Sequence, residues 1–295
     1  MSPAAGTRGS IHVEDATVVG HEAFAGRQYV LRLSAPRCAA AATPGSFVHL
    51  ACGPAVPMRR PLSIMRADAD AGWIDLLYKV VGHGLEELAA RQPGDTLSCL
   101  GPIGRGFTPH AERPRALMVG GGVGIPPTVF LAEMLAARRG EGWQPLVLMG
   151  SELPFPFQVL PSALAVPGLP DGVTAAMPLL DSLRVPSRLA SLSGFAGCHR
   201  GYVTDLAALW LDTLAPAERR RVEVFACGPE PMLHAIAALA RRHALPCQVS
   251  LEENMACALG GCAGCTVLVE TPQGPAMKRV CVDGPVFDAA TVFRD

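Results

Sequence analysis

The spacing of hydrophobic positions along this chain changes twice. Over roughly the first hundred residues they fall in short runs rich in Val, Leu and Ile: HVEDATVV, QYVLRLSA, SFVHLAC, LSIMRA and WIDLLYKVV. Gly, Pro and Asp separate these runs, which marks them as strands joined by turns. HGLEELAAR is the one clear helical pattern among them. Several short strands with little helix predict a small antiparallel β-barrel. After the polar, proline-containing stretch TPHAERPR the pattern alternates between strand and helix. ALMVGGG is a strand running into glycines, and PPTVFLAEMLAARRG is helical, with prolines at its start and glycine at its end. QPLVLMG reads as a strand and GYVTDLAALWLDTL as a helix. RVEVFACGP followed by EPMLHAIAALARRH is again strand, turn and helix. Such alternation predicts parallel βαβ units with helices on both faces of the sheet. The stretch 151–200 is Pro- and Ser-rich and follows neither period. The last fifty or so residues form a third region, in which TVLVE and AMKRVCVDGP are placed as a hairpin around TPQGPA. The fold class expected is therefore mixed, in three parts: an antiparallel β-barrel over 1–110, a parallel-sheet α/β domain over 111–248 and a small C-terminal domain over 249–295.

Composition narrows what such a chain does. Hydrophobic residues make up 49% of the 295 and aromatics only 5%, so Ala, Leu, Val and Gly must build the cores. The formal net charge is −1. No basic field advertises nucleic acid or an anionic membrane, and neither is expected as a partner. The opening MSPAAGTRGSIHVED lacks the apolar run of a signal peptide. Every apolar stretch is broken by Gly, Pro or charge before the ~18 residues of a membrane-spanning helix. A cytoplasmic location is expected, and there the ten cysteines stay reduced.

Four of those cysteines have a spacing with chemical meaning. CALGGCAGC sets Cys257, Cys262 and Cys265 in a Cys-x4-Cys-x2-Cys pattern, and Cys281 follows after fifteen residues. The first three match the plant-type spacing for a [2Fe–2S] cluster. Gly260, Gly261 and Gly264 let the backbone curl close enough to offer N–H groups to the bridging sulfides. A structural zinc site and buried free thiols are the alternatives. Zinc favours paired Cys-x2-Cys knuckles, and only one such pair is present. The other six cysteines lack this spacing and read as ordinary core residues.

Four stretches, carrying arginine or glycine, suit nucleotides. RRPLSI supplies Arg60 and Ser63, a fork of donors and a small hydroxyl suited to phosphate and flavin-ring contact; alone it also reads as an exposed bend. In VGHGLEEL, Gly82 and Gly84 precede a helix whose amides and dipole suit a pyrophosphate, or else simply cap it. VGGGVGIPP, residues 119–127, is a strand–glycine loop–helix junction of the kind that admits dinucleotide phosphates. ACGPEPML repeats that geometry, and Cys227 there is either against a nicotinamide or flavin face or a small thiol buried at a turn. His83 and His110 are read as passive. No Ser–His–Asp or metal-hydrolase constellation is evident, so no acid–base catalytic residue is assigned.

The order RRPLSI, LYKVVGHG, GPIGRGF, GGGVGIPP, GYVTDL, CGPEPML, SLEENMACALGGCAGC and RVCVDGPVF, spread over nearly the whole chain, resembles the ferredoxin–NADP reductase superfamily. It is most similar to the electron-transfer subunits of the NAD-dependent class of dihydroorotate dehydrogenase. The resemblance implies FAD in the barrel, NAD on the α/β domain and a [2Fe–2S] cluster on Cys257, Cys262, Cys265 and Cys281. The cofactor contacts it implies are Arg60, Pro61, Leu62, Ser63, Tyr78, Lys79, Gly82, His83, Gly84 and Leu85, together with Gly120, Gly121, Gly122, Gly124, Cys227 and Gly228. It implies an FMN-containing catalytic subunit that oxidises dihydroorotate in pyrimidine biosynthesis, the two assembled as a heterotetramer. The chain departs from the family at Leu85, where a Thr is usual, and in SELPFPFQVL. Related subunits of sulfide dehydrogenases and ferredoxin:NADP oxidoreductases share the same three parts, and a redox-sensing subunit without nicotinamide turnover is a further alternative.

Overall fold

The structure, a computed structural model, describes residues 10–54 and 56–294. The reading of the extreme N-terminus as free of a signal sequence concerns residues 1–9, outside that range.

Six strands close the expected barrel: β1 (His12–Phe24), β2 (Gln28–Ser34), β3 (Phe47–Leu50), β4 (Arg60–Asp68), β5 (Trp73–Lys79) and β6 (Thr96–Ile103), in the order β1-β2-β5-β4-β3-β6 with every pairing antiparallel. Leu31, Leu33, Val48, Leu50, Ile64, Ile74 and Leu76 are fully buried in its interior. Two short helices accompany it, α1 (Pro36–Ala41) and α2 (His83–Ala89). β6 is the strand the hydrophobic pattern does not announce. It ends in Gly101, Pro102 and Ile103, yet it pairs on both sides and so closes the barrel.

The α/β part is built on β7 (Arg115–Gly121), α3 (Ile125–Ala137), β8 (Leu146–Gly150), β9 (Leu160–Pro161), β10 (Ala175–Ala176), α4 (Pro178–Ser182), β11 (Ser187–Ala190), α5 (Val203–Thr213), α6 (Pro216–Arg219), β12 (Val222–Cys227), α7 (Glu230–Arg242) and β13 (Cys247–Ser250). Its main sheet has the order β11-β8-β7-β12-β13, all parallel. The order reverses direction between β7 and β12, where a doubly wound sheet opens a crevice for ligands. Alternate residues of the strands feed two cores. Leu117, Val119, Leu148, Val224 and Ala226 pack against α5 and α7, while Ala116, Met118, Val147, Met149 and Phe225 pack against α3 and α4. Burial on both faces explains why these strands read as continuous apolar runs. The Pro- and Ser-rich stretch supplies the edge strand β11 and the small β9–β10 pair.

Helix α3 joins the two parts. It buries most of its surface, and Phe130 enters the barrel core while Val129 and Leu131 enter the sheet core. Arg66 of β4 grips Glu133 of α3, Nη2 to Oε1 at 2.6 Å. The linker is pinned too: Glu223 on β12 accepts from the His110 backbone N–H at 3.0 Å, and its other oxygen lies 2.8 Å from His110 Nδ1.

The C-terminal residues form the expected hairpin, β14 (Thr266–Thr271) with β15 (Gly274–Arg279), then β16 (Val286–Asp288) and α8 (Ala289–Val292). β16 adds antiparallel to β13 as the sixth strand of the main sheet. No helix among the described residues is long and apolar enough to cross a membrane.

Candidate functional site

Two clefts meet between barrel and sheet. The first, about 430 Å³, is walled on the barrel side by Arg60, Pro61, Leu62 and Ser63 of β4 and by Tyr78 and Lys79 of β5. Arg60 lies across the start of α2: a Cβ on Gly84 would stand 2.7 Å from its guanidinium. The guanidinium also donates to the Met58 carbonyl at 2.8 Å. Leu85 of α2 lines the cleft. Gly82, with φ of +84°, turns the chain into that helix, and His83 is exposed beside Glu86. Tyr78 stacks on Tyr29 with centroids 5.3 Å apart, and its hydroxyl lies 2.8 Å from His21 Nε2. Burial pushes the Tyr78 phenol far above its ordinary range.

The second cleft, about 610 Å³, opens at the carboxyl ends of the parallel strands. Gly121 and Gly122 line it from the β7–α3 loop, and Pro229 and Met232 from the β12–α7 loop. Glycine is required for the two loops to touch. A Cβ on Gly124 would stand 2.4 Å from the Cys227 carbonyl oxygen, and one on Gly121 would stand 2.5 Å from Met232 Sδ. Gly120 lies under α3, where a Cβ would stand 3.0 Å from the Ile125 Cα. Gly228 continues the second loop beside Gly121. Cys227 itself is fully buried, and burial first, then the Glu252 charge, drives its thiol well above the ordinary range. That placement matches the small-thiol-at-a-turn alternative. Val123 and Lys79 line both clefts, so the two are contiguous.

The cysteine loop closes the first cleft from the third side. Leu251, Glu252, Glu253, Asn254 and Met255 line it and lead directly to Cys257. Spacing alone does not tell which thiols meet. Cys257 and Cys262 Sγ are 3.3 Å apart across the local loop. Cys265 and Cys281 Sγ are also 3.3 Å apart, because the β14–β15 register pairs Thr266 with Arg279 and so returns the fourth cysteine to the loop. Backbone N–H groups point at the sulfurs: Leu259 donates to Cys257 Sγ and Gly264 to Cys262 Sγ, each at 3.4 Å. Ala258, Gly260 and Ala263 hold positive φ to aim them. Desolvation raises the Cys257 thiol, but donation from the Leu259, Cys262 and Gly261 backbone outweighs it and brings the pKa down to about 6. Burial first, then the neighbouring Cys265, pushes the Cys281 thiol up to about 12, so the donors that favour thiolate act on the Cys257–Cys262 pair. Four thiols in two such pairs suit a centre with two metal ions.

Sequence reasoning named the barrel side of the first cleft and the glycine loop of the second. It missed the Leu251–Met255 segment and Phe47, which also faces the first cleft. The position of SLEENM, directly before the first cysteine, was the available signal. Glu252 is solvent-exposed where it opens onto the cleft, and the protein packed around it raises its carboxyl.

A closed six-stranded barrel, a doubly wound sheet and a shared crevice define the ferredoxin-reductase fold, extended here by a cysteine loop. Solved structures bear out the fold. An NADH-dependent reduced ferredoxin–NADP oxidoreductase superposes with a TM-score of 0.73 over 99% of this chain and 91% of that one, at 24% identity. A ferredoxin reductase of carbazole 1,9a-dioxygenase gives 0.58 over 82% of this chain and 67% of that one, at 18% identity. Residues 252–293 match the family described as the iron–sulfur cluster binding domain of dihydroorotate dehydrogenase B. The electron transfer subunit of dihydroorotate dehydrogenase B (NAD(+)) from Desulforamulus reducens is 32% identical over 93% of this chain and 96% of its own length. That from Geobacillus kaustophilus is 35% identical over 95% and 98%. The chain belongs to the family of dihydroorotate dehydrogenase B (NAD(+)) electron transfer subunits.

Proposed function

We propose that this chain relays electrons between NAD and an FMN-containing dehydrogenase subunit that oxidises dihydroorotate in pyrimidine biosynthesis. FAD sits in the first cleft and a [2Fe–2S] cluster on Cys257, Cys262, Cys265 and Cys281. The observation that carries this reading is the wall of the first cleft, which includes both Val123 of the dinucleotide loop and the segment entering Cys257. A group bound there touches both partners of the relay. When bound, a flavin exchanges hydride with a nicotinamide and single electrons with an iron–sulfur centre.

The chain's own residues position these groups. Arg60 and the start of α2 hold phosphate, and Ser63 with Tyr78 faces the flavin ring. Gly121 and Gly122 let a pyrophosphate approach the α3 N-terminus, with Lys79 as the cation between clefts. The cysteine-loop amides stabilise charge on the sulfurs. Residues 1–110, 111–248 and 249–295 then serve FAD, NAD and the cluster, with β16 of the third part completing the sheet of the second. Assembly with the catalytic subunit as a heterotetramer follows the same reading.

Co-purification tests it. The affinity-tagged chain, expressed in its native host, is expected to bring down an FMN-containing subunit, and the complex to reduce NAD+ with dihydroorotate. A chain that oxidises NADH yet captures no such subunit would remove the pyrimidine role and leave the relay.

A further inference from the structure

We propose that Gln28 is a positioning residue for transfer between the two clefts: its amide clamps the segment 151–157 of the α/β part to the barrel and so fixes the gap that a dinucleotide must span. The inference rests on the reading that the first cleft takes a flavin and the second a nicotinamide dinucleotide.

The clamped segment belongs to SELPFPFQVL, the stretch in which the chain departs from its family. Leaving the end of β8 at Gly150, it reaches the barrel through three successive contacts. Leu153 lies on the β1–β2 turn, where a Cβ on Gly26 would stand 2.7 Å from its Cδ1. The Pro154 carbonyl accepts from Gln28 Nε2 at 2.8 Å. Phe155 is buried in the core that holds Met65 and Leu77 of the barrel together with Met118 and Val147 of the sheet. Gln28 is 3% exposed, and the same Nε2 donates to the Ala25 carbonyl, also at 2.8 Å. Both hydrogens of the amide nitrogen are thereby used. Only the nitrogen can meet two carbonyls, so the side chain is held in one orientation.

The clamp sits where the clefts join. Gln28 pairs with Lys79 across β2 and β5. Both line the second cleft, as do Glu152 and Leu153 of the clamped segment, and Lys79 lines the first cleft too. The ion pair of Arg66 with Glu133 also ties barrel to sheet, but neither residue lines a cleft. A dinucleotide whose phosphates lie over the glycine loop is carried by the sheet, whereas a flavin against β4 and β5 is carried by the barrel. The distance between their reacting atoms is therefore set by how the two parts are held at this seam. Transfer needs those atoms about 3–3.5 Å apart, and a misplacement of about 1 Å costs up to ~100-fold in rate. Methionine at position 28 keeps the length and bulk of the side chain but donates to neither carbonyl, which frees the segment from β2 and leaves Phe155 and α3 to hold the parts together.

The test compares the FAD- and cluster-loaded wild type with Gln28→Met, and with Leu153→Ala, which removes the packing on Gly26 and keeps the amide contacts. The readouts are amide hydrogen exchange over residues 151–157, calorimetric titration with ADP, and anaerobic stopped-flow bleaching of the flavin by NADH. In Gln28→Met, exchange over the segment is expected to quicken about tenfold, and the limiting bleaching rate to fall about tenfold or more. ADP affinity should change by less than about threefold, because the glycine loop and strand ends that hold it belong to the sheet. Leu153→Ala should quicken exchange and slow bleaching by smaller factors. Wild-type bleaching rates in both variants, or an ADP affinity lost in proportion to the rate, would overturn the assignment and leave the relay reading standing. A wild type that NADH does not bleach would overturn both.

Discussion

Replacing Gly124 by Ala tests how the two nucleotide loops are held together. The backbone tolerates alanine, since φ is −84°. The obstacle is steric. The new Cβ would stand 2.4 Å from the Cys227 carbonyl oxygen, 2.5 Å from its carbon and 2.5 Å from the Gly228 nitrogen. All three are backbone atoms, and the approach is about 1 Å short of ordinary contact, which begins near 3.4 Å. Overpacking of this kind costs about 1–3 kcal/mol. Relief requires the β7–α3 and β12–α7 loops to part by about that 1 Å, and both line the second cleft. In stability the cost corresponds to a melting point lower by roughly 2–12 °C. If closing the loops around a nucleotide must reinstate the strain, affinity falls roughly 5- to 150-fold. Calorimetric unfolding and NADH titration measure the two effects. Gly140→Ala is the control, because its Cβ would meet nothing within 4 Å and its φ is not positive. A Gly124→Ala protein that melts and binds NADH like the wild type would refute the close approach of the loops.

Other consequences follow from named contacts. Cys281→Ser removes one thiol of a buried pair and is expected to abolish stoichiometric iron and the visible cluster absorption while FAD stays bound; undiminished iron would separate Cys281 from the centre. Arg66 and Glu133 join barrel to α3 through a partly buried, bidentate contact. Arg66→Ala should lower stability by about 1–3 kcal/mol, and a double-mutant cycle with Glu133→Gln should show positive coupling in denaturant unfolding, zero coupling being the contrary result. Hydrogen bonding to Glu223 raises His110 above its ordinary value of 6.5. Because the folded value is the higher, this contribution is full below about pH 6.5 and fades as pH climbs through the raised value. The melting-point gap between wild type and His110→Gln should therefore narrow as pH rises above about 6.5; a gap that widens would reverse the assigned sign.

The sequence was most informative where a local pattern does physical work. Apolar runs announced five barrel strands and the strands β7, β8 and β12, because each strand buries side chains within its own length. Cysteine spacing and interleaved glycine announced the metal loop. What stayed hidden depends on distant partners. β6 reads as a loop because Gly101 and Pro102 interrupt it, and the flanking strands β1 and β3 recruit it. β11 and β13, four residues each, and β16, of three, are too short for a period and are strands only because a sheet edge awaits them. The pairing of Cys265 with Cys281 is fixed by the hairpin register rather than by the fifteen residues between them. Leu251–Met255 escaped notice because its role is to wall a cleft made by two other domains.

The relay itself is tested most directly by anaerobic titration of the loaded chain with NADH, followed by visible absorption and electron paramagnetic resonance. Flavin bleaching accompanied by the signal of a reduced [2Fe–2S] centre, with about two irons and two labile sulfides per chain, is the expected result. A flavin that bleaches while the cluster stays oxidised, although dithionite reduces it, would contradict the account.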